Sequence, residues 1–154
     1  MSSRVKSEAA RDAARILRAT WVGPAPIEPV SIAKQLGVEV LEAPLDGNTL
    51  GALFMSPKED PKIVLNQSDG FNRQRFTCAH ELGHYVRRSA ESNEYARVDL
   101  RDGRSSTGED LEEIYANEFA ASLLMPEEEV RRLSRLGLDD LEPGLAVRPC
   151  KRPK

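Results

Sequence analysis

Apolar residues recur along this chain with two different periods. Between residues 4 and 19, Ala9, Ala13, Ile16 and Leu17 fall at helical spacing with arginines between them, which predicts an amphipathic helix packed on the rest of the domain. A Pro-rich joint, Gly23 to Pro29, ends that pattern. Val30 to Leu36 then reads as a short second helix with Gly37 as its stop signal. Three short β-type runs follow, Val38 to Leu41, Leu50 to Met55 and Lys62 to Asn66, separated by turn residues at Asp46 to Asn48 and Pro57 to Pro61. They predict a small, mostly antiparallel sheet of about three strands.

The longer period returns from about Gly70 to Arg88, where no breaker interrupts the run and Cys78, Leu82 and Tyr85 lie on the face opposite His80. From Ser89 to Gly108 the chain is polar and irregular, with Val98 to Leu100 its one strand candidate and Arg101 to Gly108 a loop placed to border a cleft. A further helix is predicted from about Asp110 to Met125. Pro126 stops it and opens another, through Leu133, whose acidic start at Glu127 to Glu129 suits a helix N-terminus. Strands and helices in this order predict an α+β fold.

With 154 residues the chain buries one core, and the pattern assigns that domain to residues 1–136, with residues 137–154 as a flexible basic, Pro-containing tail. A charged fraction of 31% with a net charge of only -3 argues against long-range attraction to nucleic acid or an anionic membrane, and favours a protein or peptide partner. No stretch approaches the roughly 20 apolar residues of a membrane span, and Met1 to Lys6 leads into a polar, alanine-rich segment, so a cytoplasmic location is expected. Two cysteines are too few for a secreted disulfide framework, and Cys78 reads as a small core side chain.

The chemistry is concentrated in His80-Glu81-Leu82-Gly83-His84, which holds both histidines of the chain. Two histidines and one glutamate fall into this arrangement by chance roughly once in a thousand. On a helix, residues four apart stand roughly 5–6 Å from one another at Cβ, so both imidazoles reach one ion at about 2.0–2.1 Å. Glu81 then flanks an open coordination position. The plain alternative is a pair of solvated helix histidines.

Catalytic zinc takes three protein ligands and keeps a fourth position for water, so a carboxylate or cysteine must complete the set. The helix after the polar segment offers Glu112, Glu113 and Glu118. At 100° per residue Glu113 shares a face with Ala116, Asn117, Ala120 and Leu124, a stripe small enough to approach another helix closely, with Gly83 as the matching surface. Glu113 is therefore preferred, with Glu112 in reserve. Asn117, one turn on, either orients a histidine ligand or is an ordinary helix amide. Cys150 would liken the site to peptide deformylase, but that family's cysteine precedes its histidines and Cys150 follows them in a basic tail.

Taken together, His80 to His84 and the later run Glu113-Ile-Tyr-Ala-Asn-Glu-Phe-Ala-Ala-Ser-Leu-Leu-Met-Pro126 closely resemble the ImmA/IrrE family of bacterial and phage zinc metallopeptidases. Pro29 to Val38, and Ile63 to Asn66 ahead of Arg75 to His80, are similar to its upstream helix and strand, so the resemblance covers roughly residues 5–135. It implies a zincin-like, specifically gluzincin-like, α+β fold, with Glu113 as third zinc ligand beside His80 and His84. It also implies a regulatory endopeptidase that cuts a helix-turn-helix repressor of the Xre type, encoded nearby, so that the peptidase itself need not touch DNA. The segment after Pro126 departs from the family pattern: members commonly continue into a longer helical region, where this chain ends in a basic tail.

In the expected chemistry Zn²⁺ polarises a water and the scissile carbonyl, and Glu81 moves the proton from that water to the leaving amine. Tyr85, Tyr115, Arg101 and Arg104 are unranked candidates to share the oxyanion. An extended substrate is expected to add to a sheet edge along Leu50 to Phe54, where Gly51 admits close backbone approach. The competing reading is a binding module, an antirepressor or toxin–antitoxin partner whose metal is structural. Glu81 beside an open position favours the enzyme, since structural zinc usually takes four protein ligands rich in cysteine.

Overall fold

The computed structural model describes residues 1–89, 91, 94–101 and 110–135. The predicted tail, Arg104, Cys150 and most of the predicted loop lie outside the described residues. The first helix, α1 (Ser2–Thr20), buries Val5, Ala9, Ala13 and Ile16, which are the i, i+4, i+8, i+11 positions of one stripe. Pro29 opens α2 (Pro29–Gln35) at its first turn. Gly37, at φ 78°, ends it in the left-handed region. There the Val38 amide donates to the Ala33 carbonyl and the Gly37 amide to that of Lys34, so the last turn's free carbonyls are satisfied by the turn into the sheet.

The three expected strands are present as β1 (Glu39–Ala43), β2 (Thr49–Ser56) and β3 (Glu59–Asn66), and Tyr95–Leu100 forms a fourth, β4. The turn between β2 and β3 is only Pro57 and Lys58, shorter than Pro57 to Pro61. Strand order is β1-β3-β2-β4, with β1 parallel to β3 and the other two ladders antiparallel. The sheet is therefore mixed: the β1 to β3 ladder is parallel, because β2 intervenes in sequence and pairs with β3 on its other side.

Period-2 alternation sorts the sheet into two faces. Leu53 and Ile63 pair across β2 and β3 and are fully buried beneath the helices, whereas Leu41, Phe54 and Val98 on the other face are exposed. Helix α3 (Phe71–Arg88) crosses the buried face and is enclosed along its second half, from Thr77 to His84. A Cβ at Gly51 would stand 2.7 Å from Thr77 Cγ2 and 2.9 Å from the Val64 carbonyl oxygen, so this glycine is what lets α3 lie directly on β2. That overturns its expected role: β2 lies inside the sheet, between β3 and β4, and offers no edge for a substrate along Leu50 to Phe54.

Helix α4 (Leu111–Leu124) starts at Asp110, whose carboxylate accepts the Glu112 amide at 2.9 Å. It is buried through Tyr115, Ala116, Phe119, Ala120 and Leu123, between α1 and α3. Close approach to α3 depends on Gly83, where a Cβ would meet Ala116 Cα at 3.0 Å and Phe119 Cβ at 3.2 Å. The last helix, α5 (Glu127–Arg135), buries no residue. Among the described residues no helix is long and apolar enough to cross a membrane.

Candidate metal centre

Helix α3 presents His80 and His84 one turn apart, with their Nε2 atoms 3.2 Å from each other. Helix α4, brought close at Gly83, places Glu113 Oε1 3.1 Å from His84 Nε2 and Oε2 3.6 Å from His80 Nε2. Ligands about 2.0–2.1 Å from a tetrahedral ion are about 3.3 Å apart; the histidine pair is close to that value, and Glu113 reaches each histidine at a similar distance through a different carboxylate oxygen. Glu112, the reserve, turns away and pairs with Arg88, while Glu118 faces Ser122.

The His80 ring supplies a second test of fit. Its Nδ1 lies 3.0 Å from Asn117 Oδ1, an amide oxygen that can only accept, so Nδ1 carries the proton. On its other side, Nε2 faces His84 Nε2, Glu113 and, at 2.7 Å, Asp99 Oδ2. A neutral imidazole has one N–H and cannot supply both sides; a cation at Nε2 suits this surrounding of lone pairs. The local charges agree in sign, since the carboxylates of Asp99 and Glu113 face the guanidinium of Arg97 and leave the cluster net negative, as a cation site requires.

Asp99 and Arg97 are the residues that sequence reasoning missed. Both stand on β4, two apart, on the face turned to the helices, where Asp99 pairs with Gly51 and Arg97 with Leu53. Arg97 Nε donates to Asp99 Oδ1 at 3.2 Å, and its Nη2 donates to Glu113. His80, His84, Asp99 and Glu113 each offer a ligand atom, all within 4.8 Å of one another. The available signal was the alternation Tyr95-Ala-Arg97-Val-Asp99-Leu100, which by the usual rule turns its polar side to water. Here the polar side faces inward and Val98 is 48% exposed.

Burial and charge set the proton affinities. Glu81 is fully buried; among the described residues no N–H or O–H donates to its carboxyl oxygens, and the polar group it faces is the Asp99 carboxylate, with which it would have to share a proton to form a hydrogen bond. Burial, and next the charge of Asp99, push its carboxyl well above the ordinary glutamate range, against the pull of Arg97. Burial also lowers His84 despite its hydrogen bond to Glu113, which favours the neutral, metal-binding form. Burial works against the charge on Asp99, but the hydrogen bond and charge of His80 outweigh it and hold that carboxyl low. Cys78, on the core side of α3, is pushed up to about 12 by burial and then by Glu81, which removes it from consideration as a thiolate ligand.

The three described oxyanion candidates are engaged elsewhere. The Tyr115 hydroxyl donates to Asp12 on α1 at 2.6 Å, that of Tyr85 to the Leu36 carbonyl at 3.4 Å, and Arg101 to Gly47 and Asp69. Against the models of known families, residues 33–148 match the IrrE N-terminal-like domain, a peptidase family. The chain belongs to that family. None of the curated proteins compared with the chain matches it. Within the IrrE N-terminal-like domain of this chain, the match takes in every residue of the cluster, from β4 as well as from α3 and α4, but leaves α1 outside.

Proposed function

We propose that this protein is a zinc-dependent endopeptidase with a regulatory role, cleaving a helix-turn-helix repressor of the Xre type to relieve repression. The observation that carries the reading is the convergence of His80 and His84 Nε2 with the Glu113 carboxylate, all within reach of one cation, next to the fully buried carboxyl of Glu81. Membership of a peptidase family supports the reaction class, and the resemblance to ImmA/IrrE proteins supports the repressor as target. Bound to these three residues, Zn²⁺ would supply Lewis acidity toward the scissile carbonyl and an acidified water.

The remaining chemistry falls to the chain. Glu81 accepts the proton as the water oxygen bonds to the carbonyl carbon, and returns it to the amine nitrogen as the C–N bond breaks. A carboxyl whose burial raises its proton affinity is suited to hold that proton between the two steps. Asn117 fixes the ring plane and tautomer of His80, so that its Nε2 lone pair points to the centre.

The test is incubation of the purified protein, with Zn²⁺ and with a chelator, together with a helix-turn-helix protein encoded beside it. Cleavage is expected only with the metal, and Glu81→Gln should lower it by at least about 100-fold while metal is still bound. Equal cleavage by Glu81→Gln would overturn the catalytic assignment. Derepression that persists in Glu81→Gln would favour an antirepressor that acts by binding.

A further inference from the structure

We propose that Asp99 is a fourth protein donor, closing the metal centre in the resting protein, and that Arg97 is the positioning residue that keeps it there. The inference rests on the reading of His80, His84 and Glu113 as zinc ligands, and goes beyond it by assigning the position that hydrolysis requires to be open.

The argument starts from β4. Its alternation turns Arg97 and Asp99 toward the helices, and its register sets Asp99 opposite Gly51, where α3 lies directly on the sheet. Asp99 is thereby delivered to the histidines from the sheet, whereas Glu113 reaches them from α4. Asp99 Oδ2 is 2.7 Å from His80 Nε2, and with His84 and Glu113 the pair completes a set of four possible ligand atoms all within 4.8 Å of one another. With the other ring nitrogen of His80 facing Asn117, a cation at Nε2 would sit directly beside this carboxylate.

The carboxylate must then either turn away or bind the cation itself. Turning away means breaking its bond to Arg97, which is also held by Glu113, and Asp99 is only 7% exposed. Binding keeps that bond: the four ligand atoms, now within 4.8 Å of one another, would draw together toward tetrahedral edges of about 3.3 Å. Two histidines and two carboxylates would then fill a tetrahedral centre and leave no position for an attacking water. Asp99 thus acts as a latch, released when an incoming peptide segment displaces β4, which is hydrogen-bonded to a strand on one side only, that of β2, among the described residues.

The experiment uses Co²⁺ as a spectroscopic substitute and acetohydroxamate as a small ligand that needs an open position. The full chain, its Asp99→Ala variant and, as an isosteric check on folding, Asp99→Asn are loaded with Co²⁺ and titrated while the visible spectrum is followed. Asp99→Ala should bind acetohydroxamate at least about tenfold more tightly than the unaltered chain. Its Zn²⁺ affinity, from competition with a chromophoric chelator, should fall about tenfold or more. Arg97→Gln, which keeps Asp99 but frees it, should move both readings in the same direction. Identical spectra and acetohydroxamate affinities in the unaltered chain and both Asp99 variants would overturn the proposal while leaving the three-ligand centre standing. An unaltered chain that takes up neither Co²⁺ nor Zn²⁺ would overturn that centre, and the latch with it.

Discussion

Substituting Gly83 by alanine tests whether helix contact, rather than ligand identity alone, sets the geometry of the centre. The new Cβ would lie 3.0 Å from Ala116 Cα and 3.2 Å from Phe119 Cβ, whereas carbon atoms prefer about 3.5–4.0 Å. Backbone on both sides cannot rotate out of the way, so α3 and α4 must separate by about 0.5 Å. Overpacking of this kind costs about 1–3 kcal/mol, partly offset by about 1 kcal/mol from the better helix propensity of alanine. The net loss of stability is then about 0–2 kcal/mol. The same displacement carries Glu113 away from His80 and His84, lengthening separations of 3.6 and 3.1 Å where a site tolerates about 0.2 Å. Zinc affinity should therefore fall by more than stability does. Urea unfolding of the metal-free protein gives the first quantity and chelator competition the second. A variant with unchanged zinc affinity would refute the reasoning, whatever its stability.

Two further outcomes are expected. Asn117→Ala removes the partner of His80 Nδ1 at an exposed helix position, so zinc affinity should drop about 10–100-fold with little change in thermal midpoint; unchanged affinity would show that packing alone orients the ring. The metal-free protein should also show a pH signature of Glu81. Its folded carboxyl titrates above the ordinary 4.5, so the proton it binds stabilises the fold fully below that value, and this stability is lost as pH rises through the folded value. Urea unfolding of Glu81→Gln and the unaltered chain should diverge as pH rises above 4.5, in favour of the variant, by at most about 1.4 kcal/mol per pH unit. A gap that stays constant or narrows would contradict the burial argument.

The helices were legible because their apolar stripes are regular and their ends carry local chemistry, as at Pro29, Gly37 and Asp110. Choosing Glu113 over its neighbours needed only helical geometry and the small surfaces of Gly83, Ala116 and Ala120, and the structure brings that residue to the histidines. Val98 to Leu100 was legible as a strand, but not its start at Tyr95 nor the roles of its side chains. A strand that turns arginine and aspartate inward and valine outward inverts the rule by which half-buried strands are read, and the inversion is intelligible only once a charged centre occupies the space beneath it. The parallel ladder between β1 and β3 was equally hidden, since short strands separated by turns look like consecutive hairpins until pairing partners are known. Gly51 was singled out for the right property, permission for close approach, but the neighbour it admits is Thr77 of α3 rather than a substrate.

The hydroxyl of Tyr115 ties α4 to Asp12, two residues after the Glu113 that faces His80 and His84, and the Val5, Ala9, Ala13 and Ile16 stripe covers the same part of the core. Helix α1 lies wholly before residue 33, where the family match begins. The stretch over which kinship is detectable is thus smaller than the unit that folds: the helix carrying Glu113 leans on a segment outside the match. Substitutions in that first helix would reach the His80, His84 and Glu113 cluster through α4 without altering any of the three, so the cluster's geometry is set in part from beyond the matched stretch.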